Sequence, residues 1–222
     1  MLFKDRRDAG RKLVARLQEY KGEKDVVVIG LPRGGVITAS EVAKELGVPL
    51  DIVVPRKIGA PGHEEFAIGA LCEEGDAILD QNMIDYLDIS ERYVNAKIAE
   101  EKKEAQRRLK LYRGDREPLD LKEKAVIMVD DGIATGHTMR AAIASTKRKG
   151  AKKVIVAVPV TAKDSLYTIS EEADKIIYLD APMFFDAIGR FYQVFDQTED
   201  EEVIEIMKNQ CSQNVPYPRG RL

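Results

Sequence analysis

Two adjacent carboxylates, Asp130 and Asp131, close an apolar run and open a loop of small and hydroxylated residues, Val126-Ile-Met-Val-Asp-Asp-Gly-Ile-Ala-Thr-Gly-His-Thr-Met-Arg140. The four residues before the acids are apolar throughout, as in a strand buried in a parallel sheet. Glycines at 132 and 136 let the backbone curl and bring its N–H groups close to a ligand. Those amides, the hydroxyls of Thr135 and Thr138, and the positive end of the helix that follows suit one phosphate group. Gly132, Ile133, Ala134, Thr135, Gly136, His137 and Thr138 are therefore the candidate phosphate-binding set. The two carboxylates cannot face that phosphate. They suit neutral hydroxyls or a metal ion, and phosphate on one side with hydroxyls on the other describes a sugar phosphate.

The run resembles the ribose-phosphate signature of the type I phosphoribosyltransferases: apolar strand, two acids, Gly, then Thr-Gly-x-Thr. It lacks the Gly-Lys-Ser/Thr of a Walker loop and the Gly-x-Gly-x-x-Gly of a dinucleotide fingerprint. The alternative is an ordinary strand-turn-helix corner with incidental polar residues. Three further stretches resemble bacterial and archaeal phosphoribosyltransferases of unassigned substrate. They are a Phe-x-Asp-Arg helix start at 3–6, Leu-Pro-Arg-Gly-Gly at 31–35, and Gly-Ala-Pro-Gly…Glu-Phe-Ala-Ile-Gly-Ala at 59–70.

The resemblance implies a type I phosphoribosyltransferase-like α/β fold, a parallel sheet flanked by helices. One domain would span 1–222, with a charged helical insertion near 81–120 and a C-terminal hood and tail near 180–222. It implies binding of phosphoribosyl pyrophosphate with Mg²⁺, and displacement of pyrophosphate from the anomeric carbon by a nitrogenous base. Asp130 and Asp131 would hold the ribose hydroxyls, directly or through the metal, and the 132–138 loop would hold the 5′-phosphate. Arg33, with the amides of Gly34 and Gly35, would meet the pyrophosphate through charge and fork geometry. The Pro32–Arg33 peptide would be cis, as in the resembling enzymes. Arg56 and Lys57 precede a Gly/Pro-rich stretch that corresponds to the family's closing loop; Lys57 would neutralise the leaving pyrophosphate, or the two are a solvated basic pair. His63 or Glu64 would exchange a proton near the site, or His63 is a solvated loop residue, and the His137 ring would face solvent. In the hood, Phe184, Phe185, Phe191 and Tyr192 are candidates to stack on a base, with core packing as the alternative. Asp180 or Asp186 could reach a metal, whereas Gln193 stands where some purine-salvage members carry a metal-touching Asp. Hypoxanthine and guanine enzymes commonly carry an acid just before Thr-Gly; here that residue is Ala134.

The elements that must position these groups alternate. Residues 5–20 read as an amphipathic helix with Ala9, Leu13, Val14 and Leu17 on one stripe. Residues 25–30 and 50–55 read as strands around a helix at 36–46, and 57–65 as a loop. Short strands, antiparallel in one reading, follow at 66–71 and 77–79. A long charged helix at 90–113 has a narrow stripe of Val94, Ile98, Ala105, Leu109 and Tyr112, which is a surface seam, a lid or a homodimer contact. Strand 153–158, helix 162–172, strand 175–179 and a last helix near 207 complete a βα alternation that predicts a parallel sheet with right-handed crossovers. The tail at 216–222 reads as loosely held.

The 222 residues suit one α/β domain with an insertion, and 44% hydrophobic with 33% charged residues is a globular composition. The sequence has no bilayer-length apolar run and no apolar signal core, so a cytoplasmic protein is expected. Cys72 and Cys211 make neither a disulfide framework nor a metal spacing. A formal net charge of −3 argues against broad electrostatic binding to nucleic acid. Two rivals stand beside the enzyme: a regulator that keeps the pocket but binds RNA or a protein, and a phosphoribosyl pyrophosphate synthetase-like kinase, for which the chain is short.

Overall fold

The computed structural model describes residues 1–72 and 77–209. In chain order its elements are α1 (Arg6–Val14), β1 (Val26–Gly30), α2 (Gly34–Leu46), β2 (Leu50–Ile52), β3 (Arg56–Ala60), β4 (His63–Leu71), β5 (Ile78–Leu79), α3 (Gln81–Tyr86), α4 (Glu91–Arg113), β6 (Ala125–Val129), α5 (His137–Arg148), β7 (Lys153–Val160), α6 (Lys163–Glu172), β8 (Lys175–Asp180) and α7 (Asp200–Asn209). Single 3₁₀ turns lie at Gln18–Tyr20 and Ile188–Phe191.

Five strands form an all-parallel sheet in the order β2-β1-β6-β7-β8. Its central strands β1, β6 and β7 are apolar on both faces because both faces are covered. Val26, Val28, Ile127, Val129, Ile155 and Ala157 join one core with α1, α2, α4 and α7. Val27, Ile29, Val126, Met128, Val154, Val156 and Val158 join a second core with α5, α6 and Ala70 of β4. Alternation of side chains along each strand thus divides every apolar run between two layers.

Three expectations need correction. The strand expected at 50–55 stops at Ile52, because its neighbour β1 ends at Gly30, the residue registered with Ile52. The helix expected at 5–20 ends at Val14 and continues only as the 3₁₀ turn, although Leu17 still reaches the core. The stretch 57–65 is not a loop but a hairpin, in which β3 and β4 pair antiparallel and β5 adds a third strand. Its tip is Pro61-Gly62, with Gly62 at φ 72°, the residue pair and sign that a type II turn requires.

Helix α4 starts with the Ser90 hydroxyl accepting from the Tyr93 N–H at 3.3 Å. Its stripe is used inside the chain: Val94, Ala105 and Tyr112 are buried, and Ile98 and Leu109 pack on the same core. Cys72 is buried, whereas Cys211 and the 216–222 tail lie outside the described residues. Among the described residues no helix is long and apolar enough to cross a membrane.

Candidate functional site

Connections run outward in opposite directions from the adjacent strands β1 and β6, toward β2 on one side and toward β7 and β8 on the other. Such a switch point leaves a crevice outside the C-terminal strand ends. The acidic pair leaves β6 there, beside the turn that leaves β1, and the Leu31 N–H donates to the Val129 carbonyl at 3.1 Å. The Pro32–Arg33 peptide is cis, as the resemblance implied. The turn lies directly on the acids. A Cβ on Gly34 would overlap Asp131 Oδ2, and one on Gly35 would stand 2.5 Å from Asp130 Oδ1. Only glycine permits that approach.

Asp130 Oδ1 accepts from the backbone N–H of Asp131 at 2.8 Å. Burial, and then the Asp131 charge beside it, push the Asp130 carboxyl well above its ordinary range. Burial also raises Asp131, but Arg6 opposes the shift. Arg6 Nε donates to Asp131 Oδ2 at 2.7 Å, with only 11% and 12% of the two side chains exposed. Neither acid therefore presents a bare charge to the crevice. The Tyr192 hydroxyl donates to the Asp131 carbonyl at 2.5 Å, and its ring packs between Phe3 and Phe195 at 5.3 and 4.9 Å.

The loop at 132–138, the candidate phosphate loop, follows the acids into α5, whose N-cap is Gly136 at φ 79°. Among the described residues nothing accepts the N–H groups of Ala134, Thr135, Gly136, His137 or Thr138. Five amides at a helix N-terminus form an anion cradle. Ile133 is a correction: its N–H donates to the Val160 carbonyl at 2.9 Å and its side chain is buried, so it anchors the loop and offers phosphate no amide. The loop is propped from behind, where the Ser165 hydroxyl donates to the Ala134 carbonyl. The His137 ring, expected in solvent, is half-buried with Nδ1 3.2 Å from the Thr135 hydroxyl, and burial lowers its pKa.

The cations expected at the pyrophosphate have other partners in this state. Arg33 meets Asp200 at 3.5 Å, and Asp200 also accepts from the Tyr112 hydroxyl at 2.6 Å. Arg56 pairs with Glu101 of α4 at 2.8 Å. Lys57, half-buried in β3, is paired in register with Ala70. His63 and Glu64 line a cleft of about 1190 Å³ with Phe66, Leu87, Ile89 and Tyr93, beside the α3–α4 junction rather than on the phosphate loop.

The aromatic candidates divide. Tyr192 is buried and cannot stack on a base. Phe185 and Phe191 stack on each other at 5.5 Å and pack on the small core around Phe3, leaving Phe184, 88% exposed, as the aromatic with an open face. Asp180 is taken by the amino group of Met1, and Asp186 by Arg190 at 2.9 Å. Among the described residues no group of three or more His, Cys, Asp or Glu side chains could hold a metal. Asp130 and the second oxygen of Asp131 are hard donors of the kind Mg²⁺ takes, so an ion there would draw most of its ligands from substrate and water.

Sequence reading missed Asp200 and Glu101 as partners of the arginines, and it missed the contact of Arg6 with Asp131, 125 positions apart. No local pattern marks such pairs. The Phe-x-Asp-Arg resemblance at 3–6 was the one signal that pointed to Arg6.

The family model for the phosphoribosyl transferase domain matches residues 3–192. Two proteins of Mycobacterium tuberculosis strains, named phosphoribosyl transferases without an assigned substrate, are each 41% identical over 206 residues. Those matches cover 93% of this chain but 46% of the relatives, so the chain spans about half their length. The crystal structure of TT1426 from Thermus thermophilus superposes with a TM-score of 0.81 at 38% identity, covering 95% of this chain and 99% of that one.

Proposed function

The chain belongs to the phosphoribosyl transferase family, and we propose that it transfers the phosphoribosyl group of phosphoribosyl pyrophosphate to a nitrogenous base with release of pyrophosphate. One observation carries the reading: the acidic pair, the five amides before and in α5 that find no acceptor among the described residues, and the Gly34–Gly35 turn lie at one crevice at the sheet's switch point.

In this reading the α5 N-terminus and the hydroxyls of Thr135 and Thr138 hold the 5′-phosphate. Asp130 and Asp131 accept from the ribose 2′- and 3′-hydroxyls, which suits carboxyls whose charges are muted by burial and by Arg6. The amides of Gly34 and Gly35 and the Arg33 guanidinium face the pyrophosphate, with Lys57 as a further cation. As the bond from the anomeric carbon to the pyrophosphate oxygen breaks, the sugar gains oxocarbenium character, and a ring nitrogen of the base then forms the new bond. The protein contributes position and fixed charge. Bound Mg²⁺, held by Asp130, Asp131 and substrate oxygens, would neutralise charge on the pyrophosphate.

Ala134 narrows the acceptor. A methyl group cannot exchange a proton with a 6-oxopurine, and positioned proton transfer contributes about 100- to 10,000-fold. His63 and Glu64, beside the hairpin tip, line a separate cleft, so a proton route through them would need the hairpin to move toward the acids. The test is pyrophosphate release with phosphoribosyl pyrophosphate, Mg²⁺ and a panel of hypoxanthine, guanine, xanthine, adenine, orotate and uracil. Base-dependent release is expected, with hypoxanthine and guanine poor. Values of kcat/KM above about 10⁴ M⁻¹ s⁻¹ for either would contradict the inference from Ala134, and no release with any base would favour a binding protein that keeps the pocket.

A further inference from the structure

We propose that Arg6 is a positioning residue of the ribose site, which orients Asp131 toward the sugar hydroxyls. The inference rests on the reading of the acidic pair given above. Arg6 comes from α1, yet it stands inside the crevice: a Cβ on Gly34 would meet its Nε at 2.6 Å. Nε grips Oδ2 of Asp131 at 2.7 Å, which fixes the plane of that carboxylate beside Asp130. The remaining edge of the guanidinium is fixed as well. Nη1 donates to the Asp196 carbonyl at 2.8 Å, and the carbon centre lies 3.8 Å from the centroid of the Phe195 ring. One planar group thus ties the first helix, the pyrophosphate turn, the acidic pair and the segment after the aromatic hood. A fork geometry is required for this, because a point charge cannot serve a carboxylate, a carbonyl and a ring face together.

A merely structural ion pair would, when broken, affect every ligand of the site alike. A positioning residue should affect the sugar and spare the phosphate. Calorimetry with ribose 5-phosphate and with inorganic phosphate separates the two, using the full chain, Arg6→Met, Arg6→Lys, Asp131→Asn and the Arg6→Met/Asp131→Asn double variant. Arg6→Met should weaken ribose 5-phosphate by about 10- to 100-fold, the loss of one charged hydrogen bond, while inorganic phosphate changes by less than about threefold. Arg6→Lys should restore part of the sugar affinity. The double variant should bind ribose 5-phosphate no more weakly than Asp131→Asn alone, since Arg6 acts through that carboxylate. Should Arg6→Met fail to fold, a smaller loss in Arg6→Lys confined to ribose 5-phosphate decides the question in the same way. Equal loss for both ligands, or losses that add in the double variant, would overturn the role of Arg6 and leave the ribose reading standing. A wild-type chain that binds ribose 5-phosphate no better than phosphate would overturn the ribose reading and this inference with it.

Discussion

Asp130 is held where burial and a like-charged neighbour both disfavour its ionised form. Between the ordinary aspartate value of about 4 and its raised value, the folded chain keeps a proton that the unfolded chain has released. The folded state then binds more protons, so this group's contribution to stability falls as pH rises through that window. Asp130→Asn cannot ionise and should escape the penalty. We expect a melting temperature at least about 2 °C higher than wild type at pH 7 to 8, with the difference vanishing near pH 3. Thermal unfolding at the two pH values checks this, and a variant that melts below wild type at pH 8 would contradict it. Asp131 differs because its charge is partnered. Removing it leaves Arg6 buried without an anion, which typically costs about 3–5 kcal/mol. Asp131 thus also anchors Arg6, whereas Asp130 reads as a residue retained for binding.

At the scale of elements, α4 and α7 hold the arginines that the pyrophosphate would need. Glu101 of α4 takes Arg56, and Tyr112 of the same helix donates to Asp200, the first residue of α7, which takes Arg33. Burial pushes the Tyr112 phenol up to about 12, so it stays a donor at physiological pH. In the proposed function, pyrophosphate competes with Asp200 for Arg33. The pair is 3.5 Å apart and about a third exposed on each side, so it is worth at most about 1 kcal/mol. Asp200→Asn should therefore strengthen inorganic pyrophosphate binding by up to about fivefold in calorimetry. Weaker binding would mean that Asp200 orients Arg33 instead of competing for it. These contacts were not legible in the sequence, because each joins residues tens to well over a hundred positions apart. The phosphate loop was legible because strand, acids, glycines and helix start are consecutive, and their spacing carries the geometry. The hairpin at 56–71 was legible only in its second half, where strands at 66–71 and 77–79 were expected; its glycines and Pro61 suggest a loop at 57–65, whereas Pro61-Gly62 is the turn between two paired strands.

Across the whole molecule, alternation of strand and helix was enough to read a parallel sheet, and the apolar runs located its central strands. The depth of burial of Tyr192 was not readable, since an aromatic in the hood fits a base or a core equally well by type. Its burial follows from the pairing of the N-terminal segment with the hood. Phe3 donates to the Phe191 carbonyl and accepts from the Gln193 N–H, each at 2.8 Å, which brings Phe3 onto the Tyr192 ring. The same pairing carries Arg6 to the acidic pair, so the first residues of the chain complete a site whose signature lies more than a hundred residues later. In the proposed function the two acids grip a sugar while the loop beside them grips its phosphate. Calorimetry of phosphoribosyl pyrophosphate and of inorganic phosphate on wild type and Asp130→Ala, both with Mg²⁺, tests this most directly. A loss of about tenfold or more is expected for phosphoribosyl pyrophosphate, with a change under about threefold for phosphate. Unchanged affinity for phosphoribosyl pyrophosphate, or an equal fall for both ligands, would contradict it.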